Sequence, residues 1–131
     1  MPKAHVEVST GISVFLSCIL IKLSFFSLLK FKGLFPAEFS YNLFAGIIVV
    51  AVYDVATRVS NVRDLKALVA YGSVLHTNLL ALLAHLDNTM FFKGIALYIV
   101  GHSYATTVLF LSVNLIEAHY GSRSVLAVTG L

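Results

Sequence analysis

The chain has 131 residues, 59% of them hydrophobic and only 11% charged, against roughly 45–50% apolar and about 25% charged in soluble domains. A soluble core cannot absorb that excess, and the net charge of +3 comes from scattered lysines and arginines with no basic stripe, which excludes a nucleic-acid partner. The single cysteine, Cys18, excludes a disulfide framework or a thiolate metal site built from this chain alone.

A helix crossing the roughly 30 Å hydrocarbon layer needs about 20 apolar residues, so four crossings fill residues 1–131 as a single transmembrane domain. The first residues, Met1 to Glu7, show neither a signal peptide nor an organellar presequence, so the chain is expected to be made where it works. Span one is predicted over about 11–31, closed by Lys30, Lys32, Gly33 and Pro36. Span two, about 37–57, gives way to the polar turn Arg58, Ser60, Asn61, Arg63 and Asp64. Span three, about 66–86, ends at Asp87-Asn88-Thr89, and span four covers about 91–116. Short connections make neighbours antiparallel, so the fold class is an all-α membrane protein of about four antiparallel transmembrane helices in a lipid bilayer.

Both termini then share a side with the loop between spans two and three. That side carries Lys3, Arg58, Arg63, Lys66 and Arg123, and the other Lys30, Lys32 and Lys93. The excess of positive charge puts the termini in the cytoplasm or matrix.

Three ionisable side chains fall near the middle of their spans: Lys22, His76 and His102. A charge at that depth costs about 2.5–3.5 kcal/mol on insertion scales, so Lys22 must face protein or water. A partly dehydrated amine is a group whose protonation a neighbouring charge can switch. Imidazole titrates near neutral pH and accepts at one nitrogen while donating from the other. The three together point to proton translocation. Tyr71, Ser73 and Thr77 near His76, with Tyr104, Thr106 and Thr107 near His102, are candidates to line a water chain, or simply to join helices by hydrogen bonds. Glu7 and Glu117 flank the membrane as uptake groups or interface anchors. Asp54 lies one helical turn from Arg58, a spacing for a structural ion pair, and His5, His85 and His119 fall near loops or helix ends.

Several motifs carry a resemblance. Pro2-Lys3-Ala4-His5-Val6-Glu7, then Leu20-Ile21-Lys22-Leu23, resembles the PKAHVEAP…LLKLGGYG stretch of chain 4 of respiratory NADH:ubiquinone oxidoreductase, complex I. Asp64-Leu65-Lys66-Ala67-Leu68-Val69-Ala70-Tyr71-Gly72-Ser73 with His76, Thr77 and Asn78 resembles its DLKRLIAYSSIAHMN; residues 101–110 around His102 resemble SHGLVSSALF, and residues 117–123 resemble YERYGTR. The likeness covers essentially the whole chain. It implies an antiporter-like membrane-arm subunit that binds no redox cofactor of its own and pumps protons driven by quinone reduction elsewhere. Lys22 would be a proton-channel lysine, His76 and His102 relay histidines, and Glu7 a matrix-side group, in the mitochondrial inner membrane with the termini in the matrix.

The family chain is much longer, and its further channel lysine and acidic groups have no counterpart here. The expectation is a fragment of a split chain 4 whose proton path is completed by companion fragments and neighbouring membrane-arm subunits. Ser24, Phe25 and Ser27 replace glycines after the channel lysine, Ser9 replaces a proline, and Asp54 and Arg58 have no equivalent. Two other readings stand beside this one: a b-type haem anchor ligated by His76 and His102, and a small dimeric exporter using Asp54.

Overall fold

The computed structural model describes residues 2–31, 34, 37–85 and 89–128, with the side chains of 2, 5, 37–41, 85 and 89–92 outside the description. The expected breaks at Lys32, Gly33 and Pro36, the turn at Asp87-Asn88, and the side chains of His5 and His85 therefore lie outside the described residues.

A short helix α1 (Pro2–Glu7) precedes a long helix built of α2 (Thr10–Phe15), a π-helical turn (Leu16–Leu20) and α3 (Ile21–Phe31). Then come α4 (Ala37–Val59), α5 (Leu65–His85) and α6 (Thr89–Tyr120). Among the described residues there are no β-strands, and four helices are long and apolar enough to cross a membrane: Thr10–Phe31, Asn42–Val59, Leu65–Ala84 and Lys93–Tyr120. Backbone polar groups have no water partner in hydrocarbon, so a chain this apolar satisfies them inside helices.

The outer surface of the bundle is apolar, unlike that of a soluble protein, and small polar side chains share its interior with apolar ones. Leu97, Val100, Leu115, Tyr53 and Val50 point outward, while Ser13, Ser17 and Ser73 are fully buried, as are Phe110 and Ala70. Apolar side chains gain nothing by leaving lipid, so small residues that let backbones approach take the inter-helix positions.

Helix α5 packs between α4 and α6, and the first long helix packs on α6. The pairs Thr10–Asn114, Cys18–Thr107 and Lys22–His102 run in opposite directions along the two chains, which makes these helices antiparallel. At the termini, the Leu65 N–H donates to the Arg123 carbonyl at 3.0 Å and the Val125 N–H to Arg63 at 2.8 Å, an antiparallel bridge holding the start of α5 beside the end of α6. The Asp64 carboxylate caps α5 by accepting the Lys66 N–H at 2.9 Å. Gly121, at φ +69°, ends α6 by donating to the Glu117 carbonyl at 2.8 Å. An apolar cluster of Phe25, Leu80, Ala84 and Ile95 closes the other end.

Candidate functional site

The π turn ends two residues before the mid-span lysine. At its end the Ile21 N–H, the first of α3, reaches back five residues to the Leu16 carbonyl rather than four. Lys22 Nζ donates to the Ser17 carbonyl at 2.6 Å and lies 3.0 Å from His102 Nδ1 on α6. An ammonium has donors only, so the charged form of Lys22 is held by two acceptors, one of them an imidazole.

His76 of α5 completes the group. Its ring centroid is 5.5 Å from that of His102, edge to face, and its Nδ1 is hydrogen-bonded to the Tyr98 hydroxyl. Lys22, His76, Thr77, Tyr98 and His102 line one small cavity, walled by the apolar side chains Ile21, Phe25, Leu80 and Ile99. His76 is exposed at its open side, and His102 Nε2 is buried without a hydrogen-bond partner among the described residues. One amine hydrogen-bonded to one imidazole and a phenol hydrogen-bonded to a second, the two imidazoles in ring contact within a mostly apolar wall, can hold a proton; a thiolate or carboxylate metal site is absent among the described residues.

Of the residues singled out by sequence, Lys22, His76, His102 and Thr77 meet at this cavity. Ser73 and Thr106 are buried one helical turn away, and Thr107 bonds Cys18, none of them lining it. Tyr71 is half-buried on α5, also away from it. Tyr104 stands outward, 75% exposed, because two residues of helix turn it about 200° from His102.

Glu7 lines a separate, wider cavity near the termini, with Lys66, Asn114, Glu117 and Arg123. There Lys66, only 5% exposed, donates its ammonium to the Val8 carbonyl. Arg123 donates to the Val6 carbonyl at 3.2 Å and lies 3.7 Å from Asp64 and 3.9 Å from Glu117. Asp54 accepts from Arg58 Nε at 2.9 Å, both side chains exposed, so that carboxylate has its cation on its own helix.

Sequence reading missed Tyr98, whose signal was its place four residues before His102 on one helical face. It also missed the buried state of Lys66 and the close seam in which Cys18 Sγ lies 3.3 Å from the Ser103 carbonyl and 2.8 Å from Thr107 Oγ1.

The family profile described as NADH:quinone oxidoreductase/Mrp antiporter, TM, matches residues 1–131. NADH-ubiquinone oxidoreductase chain 4 of Paramecium tetraurelia is 32% identical over 131 residues, 100% of this chain and 28% of the relative. The protein of that name from Prototheca wickerhamii is 32% identical over 127 residues, covering 94% of this chain and 24% of the relative. That from Triticum aestivum is 33% identical over 138 residues, covering 100% and 27%. The chain thus spans less than a third of the length of these relatives.

Proposed function

The chain belongs to the membrane-spanning family of NADH:quinone oxidoreductase and Mrp antiporter subunits, and from that premise we propose that it is part of a complex I membrane-arm subunit contributing a segment of a proton path. The observation that carries this reading is the 3.0 Å approach of Lys22 Nζ to His102 Nδ1 well inside two spans. A mid-membrane amine costs about 2.5–3.5 kcal/mol, and its placement on an imidazole, beside a second imidazole, gives that cost a use.

In this reading Lys22 is the switch. Protonated, it donates to Ser17 and His102; when a neighbouring subunit changes the local charge, it releases a proton that His102 and His76 carry onward. Driving energy comes from redox chemistry elsewhere, and the chain has no redox chemistry of its own. Work of about 2.3 kcal/mol per charge across 100 mV is within reach of a modest change in such a group's affinity for its proton. Companion fragments of the same subunit and adjacent membrane-arm subunits supply the rest of the path. The protein sits in the mitochondrial inner membrane, multi-pass, with its termini and the Glu7 cavity on the matrix side.

Two measurements test this. Purified gently, the chain is expected to accompany a large NADH-oxidising assembly; recovery alone or with unrelated proteins sinks the assignment. In that assembly His102→Leu, which keeps bulk but removes both nitrogens, is expected to slow proton transfer at least about tenfold. Unchanged proton movement per NADH in sealed vesicles would remove the histidine from the path.

A further inference from the structure

We propose that Tyr98 is a positioning residue of this relay, its hydroxyl holding Nδ1 of His76 while its ring lies along His102, so that both imidazoles present Nε2 onward. The proposal rests on the proton-relay reading above. Tyr98 precedes His102 by one helical turn on α6, so the two side chains share a face. Its ring is 6.2 Å from that of His102 and inclined by only 20°, and 6.1 Å from that of His76. The hydroxyl is hydrogen-bonded to His76 Nδ1, and the side chain lines the cavity that holds Lys22.

A neutral imidazole has one donor and one acceptor nitrogen, and its partners decide which is which. The Lys22 ammonium, donating to His102 Nδ1, puts that ring's proton on Nε2. In the arrangement proposed, the Tyr98 hydroxyl is the donor to His76 Nδ1 and so sets the same tautomer in the second ring. With Nδ1 as the accepting atom in both, a proton taken up at Nδ1 is matched by release of the one on Nε2, the atom that in His102 is buried and unpartnered among the described residues. The phenol ring meanwhile restrains both imidazoles at ring separations within the usual aromatic contact range.

The test uses the assembled complex in sealed vesicles, comparing Tyr98→Phe, His76→Asn and the double variant. Phenylalanine keeps the ring and removes the hydroxyl. Tyr98→Phe is expected to assemble normally, slow proton transfer roughly fivefold, the equivalent of one neutral hydrogen bond, and shift the imidazole C–N stretching band of the complex. In the His76→Asn background it should add no further loss, since the ring it orients is gone. Additive losses, or an unmoved imidazole band, would overturn the proposal. So would failure of Tyr98→Phe to assemble, which would make the hydroxyl a packing group. If His76→Asn slows pumping and Tyr98→Phe does not, the assignment of Tyr98 falls alone; if neither matters, the role of His76 in the relay falls with it.

Discussion

Replacing Lys22 by alanine is expected to abolish proton translocation along this path and lower coupled NADH oxidation, while the complex still assembles. Assembly survives because of what the substitution removes. Alanine is the best helix former, and the lost bonds to Ser17 and His102 are offset by relief of a mid-membrane charge worth about 2.5–3.5 kcal/mol. No carboxylate pairs with Lys22 in the ion pairs among the described residues, so none of these is left bare. One neutral imidazole nitrogen loses a partner, a penalty of about 1–3 kcal/mol. Lys22→Arg separates charge from proton exchange. A guanidinium stays protonated at any working pH, so arginine keeps the cation and loses the switch; it should be as inactive as alanine. Proton uptake in sealed vesicles oxidising NADH, read beside native gels, decides the matter. Full coupled pumping by an assembled Lys22→Ala complex would remove the lysine from the mechanism.

The helical membrane fold was legible because it depends on apolar length, a property of the sequence alone. Lys22 and His102 were legible for the same reason, since a polar group in mid-span has few explanations. Their 3.0 Å contact was not, because it joins residues 80 apart and depends on how α3 meets α6. Lys66 shows the opposite failure. It reads as one more loop charge, yet it is buried because α1 packs against α5 and the residue just after α1 offers its carbonyl, that of Val8. The π turn left no trace in the sequence, having neither proline nor glycine to mark it. Nearness in sequence to His102 singles out Tyr104, but helical geometry puts residues two apart on opposite sides and residues four apart together. The same rule brings Thr106 inward and would have found Tyr98.

Ser17→Leu is expected to disrupt the site more widely than any loss of a single titrating group, and Ser17→Ala hardly at all. Ser17 is 0% exposed, its hydroxyl bonds the Val14 carbonyl of its own helix at 3.1 Å, and its neighbour Cys18 touches Ser103 and Thr107 of α6. A side chain of leucine size has no space in that seam. Overpacking costs about 1–3 kcal/mol and is relieved by moving backbone, here by pushing the first helix away from α6. The Ser17 carbonyl and the reach of Lys22 to His102 move with it, so proton transfer fails even where assembly is only partly reduced. Alanine removes the hydroxyl and keeps the close approach that small residues provide. If the serine served as a relay hydroxyl, alanine would slow proton transfer as leucine does. If it serves as a spacer, only leucine would. The local nature of its hydrogen bond favours the spacer, so normal assembly and pumping are expected from Ser17→Ala beside depleted, uncoupled complex from Ser17→Leu. Equal defects in both would return the hydroxyl to the proton path and make the seam between the first helix and α6 part of the conductor, not merely its frame.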